Sequence, residues 1–327
     1  MQRDEAVTGR LGAALIILAA GLWATVGVSV KLVPDAGTLP PEILGLVRTL
    51  FAGPLILLFC ALTGLGVLAG ARSVGVHHLV RFALAGLVFQ ICLFRSFEAL
   101  GVTLTVALTV CLPPLIATLR THLRGTRTSP AAAAALALAV VGLGLLSAGQ
   151  WPQGGDVRSA TGLGLALTAS VAFVWMTDVA RAMALIIKPI AVAGLGLTAT
   201  GVLFSVAVPF LVADPLAVVA QAAGNWPVSG LVVYLAVVPT ALAYICYCAG
   251  IARCRSTAVG LTASMIEPAI AALFAVLLLG EQLTLSDIAG SLMMAAAMVI
   301  LVLSDSRMAS RAAPRHAPFA SAKPAFP

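Results

Sequence analysis

The chain has 327 residues, 61% of them hydrophobic and 9% charged, with mean hydropathy +1.09 and a net charge of +7. A water-soluble domain of this size has too little interior to hide that much apolar surface, so the composition excludes a soluble globular protein and points to a lipid bilayer as solvent. The positive charge lies between apolar stretches rather than in one basic patch, so it does not mark a nucleic-acid partner.

A helical span needs about 20 apolar residues. Ten such stretches occur in chain order: Leu11–Val33, Glu42–Thr63, Leu79–Leu100, Thr103–Arg120, Pro130–Ser147, Ala160–Ala180, Pro189–Val212, Val228–Gly250, Ser256–Leu279 and Leu285–Ser304. The runs are continuous rather than alternating, which predicts helices and not a β-barrel. The first stretch is longer than the apolar core of a signal peptide, so a retained helix is expected. The expected fold class is an all-α integral membrane protein of ten transmembrane helices.

Each half of the chain carries five stretches, and the halves resemble each other. Trp23-Ala24-Thr25 in the first stretch matches Trp175-Met176-Thr177 in the sixth, about 152 residues on. Gln90, Phe94, Phe97 and Ala99 in the third match Thr240, Tyr244, Tyr247 and Ala249 in the eighth, displaced by about 150. Pro114 in the fourth matches Pro268 in the ninth. A repeat with an odd number of spans crosses the bilayer in opposite directions in its two copies. The expected organisation is therefore two inverted repeats, residues 1–150 and 151–306, followed by a polar, Pro-rich and disordered cytoplasmic tail, 307–327.

With the N-terminus inside, all but four of the 19 basic residues fall in cytoplasmic segments. The exceptions are Lys31, Arg48, Arg95 and Arg158. The positive-inside rule then places both termini in the cytoplasm. The six cysteines suggest no disulfide, since none lies in an oxidising loop, and no His/Cys/carboxylate group has metal-ligand spacing. No cofactor is expected.

Charges inside apolar spans are costly, about 2.5–3.5 kcal/mol each on insertion scales, and so each needs a reason. Glu267 sits near the middle of the ninth stretch, directly before Pro268, which removes a backbone donor and kinks the helix. Its carboxylate either faces a cavity, for a proton or a substrate ammonium, or locks the kink. Arg48 lies about two turns into the second stretch. Arg95 and Glu98 share a face near one end of the third, and Asp178 and Arg181 take the matching place in the sixth. These pairs suit interfacial anchoring or gates at opposite membrane faces.

Trp23 and Trp175 lie within spans, not at the headgroup belt where Trp is usual. Tyr244 and Tyr247 share a helical face with Thr240, as Phe94 and Phe97 do with Gln90. Polar and aromatic groups at repeat-related depths fit either helix packing or a central substrate cavity.

The ordered set of Trp23, Arg48, Gln90 to Leu100, Pro114, Glu267-Pro268, Leu277-Leu278-Leu279-Gly280-Glu281 and Gly290 resembles the drug/metabolite transporter superfamily, specifically its ten-helix type with two EamA-like repeats. The resemblance runs from Leu11 to Ser304. The first repeat departs from the pattern, with Arg124-Gly125-Thr126-Arg127 where Gly-Glu is usual. Within the superfamily the chain looks most like amino-acid exporters of the YddG type. That resemblance implies export of hydrophobic or aromatic amino acids across a bacterial inner membrane. A carrier of cationic drugs remains the alternative, through Glu267 and the aromatic walls.

The expected substrate site comprises Trp23, Gln90, Phe94, Trp175, Thr240, Tyr244 and Glu267. Arg48, Arg95, Glu98, Pro114 and Pro268 are the gating or kink candidates. The expected partners are a small-molecule substrate and the bilayer, and one chain with two full repeats suffices as a monomer. No nucleophile–base set occurs at depth, so an enzyme is not expected.

Overall fold

The computed structural model describes residues 2–33, 39–65, 72–100, 102–123, 125, 130–146, 157–254, 257–280 and 284–311. The described residues form a bundle of helices. They are α1 (Gln2–Leu32), α2 (Pro41–Leu62), α3 (Val76–Leu100), α4 (Val102–Leu123), α5 (Pro130–Leu146), α6 (Val157–Ala184), α7 (Pro189–Ala207), α8 (Pro215–Gly224), α9 (Trp226–Ile251), α10 (Thr257–Ala263), α11 (Glu267–Leu279) and α12 (Leu285–Arg311). Among the described residues, eight helical segments are long and apolar enough to cross a membrane. The fifth and tenth expected stretches fall on α5 and α12, whose apolar segments Ala133–Leu145 and Ile288–Ala297 are shorter.

Two details differ from the sequence reading. The short helix α8 lies in what reads as a connection. It starts on Asp214, whose side chain accepts from the Ala217 N–H at 3.2 Å, with Pro215 in the first helical position. Helix α12 runs on to Arg311, into the segment expected as tail. Residues 312–327, the junction of the two halves at 150/151, and Glu281 lie outside the described residues.

Helix packing follows the repeat. α3 packs along α6, and the second half of α9 packs along α1. α4 packs on α6 as α11 packs on α1, while α2 meets α7 and α5 meets α12. Exchanging each helix for its counterpart in the other half of the chain reproduces this pattern.

Close approaches at glycine fix the register. A β-carbon on Gly12 would sit 3.0 Å from the Gly250 carbonyl oxygen, and one on Gly162 would sit 2.7 Å from Leu100 Cγ. These two contacts superimpose on a displacement of 150 residues. In the α2–α7 crossing, a β-carbon on Gly53 would meet the Thr198 backbone nitrogen at 2.4 Å, and one on Gly201 would meet Leu50 Cα at 3.0 Å. That crossing maps onto itself with a displacement of 148.

Two helices are interrupted, and proline chemistry accounts for both. Pro239 has no N–H for the Leu235 carbonyl. The helix widens into a π turn over Val237–Leu242, and the Thr240 hydroxyl donates to that carbonyl at 2.6 Å. Pro268 likewise leaves the Ser264 carbonyl without its helical donor. A 3₁₀ turn over Ser264–Ile266 brings the Glu267 N–H to it instead. Pro114, by contrast, sits buried inside an unbroken α4.

Candidate functional site

The cavity between the halves is lined by Arg48 and Thr49 of α2, Gly86, Phe89 and Gln90 of α3, Met176 of α6, Leu197 and Thr200 of α7, and Thr240 and Tyr244 of α9. Both repeats contribute. Its space is contracted, with room for about one water.

Of the expected substrate residues, the structure brings Gln90, Thr240 and Tyr244 to this cavity. Arg48, expected at a gate, lines it as well. Thr49 stands beside Gln90: its one hydroxyl proton serves two acceptors, the Gly45 carbonyl at 2.6 Å and Gln90 Oε1 at 3.2 Å.

Trp23 stands one layer behind. Its ring centroid is 5.6 Å from Tyr244, 5.3 Å from Tyr247 and 6.2 Å from Phe173. Phe173 stacks on Tyr247 at 5.7 Å and touches Phe89 at 5.1 Å. The Tyr247 hydroxyl pairs with Thr177 at 2.7 Å, and Tyr234 donates to Thr25 at 2.8 Å. This aromatic layer closes the cavity on its α1–α6 side.

Three expected residues stand elsewhere. Phe94 is buried against Phe97 and beside Gly45, outside the cavity lining. Glu267 is half-buried at the start of α11, below the 3₁₀ turn, and also outside the lining. Trp175 is 40% exposed on the bundle surface. The physical reason for Trp175 is register. The 150-residue displacement set by Gly12 and Gly162 pairs Trp23 with Phe173, which does face Trp23, whereas two more residues turn a helix by about 200°.

Ion pairs tie each end of the bundle. At one end, Arg95 Nη1 donates to Glu98 at 3.2 Å and Nη2 donates to the Leu211 carbonyl at 3.1 Å. Arg95 Nε also lies 3.1 Å from Glu42, which is almost wholly buried. α2, α3 and the turn after α7 meet there. At the other end, Arg120 donates to both carboxylate oxygens of Asp178, and Thr257 donates to Asp178 at 2.6 Å. α4, α6 and α10 meet there. The expected Arg95–Glu98 pair is present. Asp178, expected beside Arg181, is held by Arg120.

Sequence reasoning missed Thr49, Phe89, Met176, Leu197, Glu42 and the Arg120–Asp178 pair. Phe89 and Gln90 follow Gly86 by one helical turn, so the spacing carried a signal for that wall. Glu42 and Arg120 stand at the ends of apolar stretches, which hides their partners.

The EamA-like transporter family matches this chain twice, over residues 10–148 and 160–303. An uncharacterized inner membrane transporter of Salmonella typhimurium (strain LT2), YicL, is 25% identical over 313 residues, covering 93% of this chain and 99% of that protein. A crystal structure aligns with a TM-score of 0.71 at 19% identity, over 91% of this chain and 98% of its own, which shows the fold.

Proposed function

The chain belongs to the EamA-like transporter family, whose members are transporters and not enzymes, and on that footing we propose that it exports small metabolites, foremost hydrophobic or aromatic amino acids, across a bacterial inner membrane. The carrier is a ten-span monomer of two inverted five-helix repeats with both termini in the cytoplasm. The packing that reproduces itself under exchange of the halves supports the inverted repeat.

The observation that carries the reading is the cavity shared by both repeats, with an ion-pair cluster at each end of the bundle. Opening one cluster while the other holds exposes the cavity to one side at a time. Gln90 and Thr240 supply polar contact, Tyr244 and Phe89 supply an aromatic wall, and Trp23 backs that wall. Glu267, at the helix break next to Pro268, bears on the motion of α11 or on a proton rather than on the cavity lining.

Efflux from preloaded cells tests this. Cells making the protein lose labelled phenylalanine or leucine faster than cells carrying an empty vector. Equal loss for every hydrophobic amino acid, beside faster loss of a cationic dye, contradicts the amino-acid reading.

A further inference from the structure

Among the described residues, Arg48 is a cation at depth that makes no ion pair, Glu267 standing outside the cavity lining. It lies about 10 Å along α2 from Pro41, inside the span. Arg48 lines the cavity, and its guanidinium Nε is buried without a hydrogen-bond partner. Two other arginines of the spans are compensated: Arg95 by Glu42 and Glu98, Arg120 by Asp178. Around Arg48 the cavity offers only neutral groups, and none of its lining residues is a carboxylate.

A buried charge left unpaired is a strongly unfavourable arrangement unless a partner arrives. The repeat sharpens the point. With the 148-residue displacement of the α2–α7 crossing, the counterpart of Arg48 is Gly196, which has no side chain and packs against Phe82. The cavity therefore has one cationic end, on the first repeat, facing the apolar side chains of Met176 and Leu197.

We propose that Arg48 is the anion-binding group of this carrier and takes the carboxylate of the cargo in a charge-assisted pair, while Phe89, Met176 and Leu197 take its apolar side chain. The Gln90 amide N–H groups, in the same lining, complete the carboxylate subsite. This deepens the amino-acid export reading and rests on it. Recognition then needs the carboxylate more than the ammonium, and a cargo whose only charge is positive is rejected.

Proteoliposomes test this with three labelled probes of one shape: phenylalanine, 3-phenylpropionate (no amine) and phenethylamine (no carboxylate). The wild-type carrier is expected to transport phenylalanine, to be competed by 3-phenylpropionate and to ignore phenethylamine. Arg48→Gln is expected to lose about 100-fold in apparent affinity for both carboxylates. Arg48→Lys is expected to retain part of it, as a point charge without the planar fork. Wild-type-like phenylalanine transport by Arg48→Gln overturns the subsite and leaves the carrier reading standing. Transport of phenethylamine alone by the wild type overturns both. Should Arg48→Gln fail to insert, the wild-type preference between the two single-charge probes decides the proposal by itself.

Discussion

The Thr240 hydroxyl donates a 2.6 Å hydrogen bond to the Leu235 carbonyl, the acceptor that Pro239 leaves without its helical donor. One side chain thereby satisfies a buried backbone group and sets the π turn that presents Tyr244 to the cavity. Wide helical turns of this kind are often found at functional sites.

Thr240→Val keeps the shape and removes the donor. We expect it to destabilise the protein by about 1–3 kcal/mol, the usual result of orphaning a buried acceptor. Thr240→Ser should be close to wild type. Thermal unfolding in detergent, beside flux in liposomes, checks both. An unchanged melting temperature for Thr240→Val would show that the carbonyl finds another donor.

Trp23 and Trp175 should separate. Trp23→Ala removes the ring behind Tyr244 and Tyr247 and is expected to reduce flux severely. Trp175→Ala, on the exposed face of α6, is expected to keep near-wild-type flux. The reverse order, measured at equal membrane amounts, would refute the 150-residue register.

Asp178 and Arg120 form the tie at one end of the bundle, joined by Thr257. Both side chains are about one-third exposed, so the pair is worth roughly 1 kcal/mol after solvent screening. Asp178→Asn and Arg120→Gln should each slow flux by weakening the closed state. The exchange Arg120→Asp with Asp178→Arg should recover part of it. Additive losses in the double exchange would mean that the two residues act separately.

Gly53 and Gly201 mark the tightest part of the α2–α7 crossing. Gly53→Ala drives a β-carbon to 2.4 Å from backbone, Gly201→Ala only to 3.0 Å. Overpacking of this kind typically costs about 1–3 kcal/mol. Gly53→Ala is therefore expected to lower the melting temperature more than Gly201→Ala, and the opposite order would contradict the crossing geometry.

Much of the architecture is legible in the sequence because a continuous apolar run of span length is seldom anything but a membrane helix. Gln90, Thr240 and Tyr244 are legible as a cavity face because polarity at depth repeats at one spacing in both halves. Trp175 misleads because a conspicuous residue aligns by identity, while glycine contacts, invisible in a single chain, set the true displacement. The partners Arg120 and Asp178 are 58 residues apart, and only packing joins them. Arg48 reads as a gate from its place about two turns into its span. That it makes no ion pair emerges only once Glu42, Glu98 and Asp178 have been placed with Arg95 and Arg120.

The most direct test of the carrier account is uptake of labelled phenylalanine into liposomes holding the purified protein, with and without an imposed pH gradient. The account predicts saturable uptake that excess unlabelled hydrophobic amino acid suppresses. Uptake without a gradient marks a facilitative carrier, and uptake only with one makes Glu267 the leading proton site. No saturable amino-acid uptake under either condition, beside transport of a cationic dye, would contradict it.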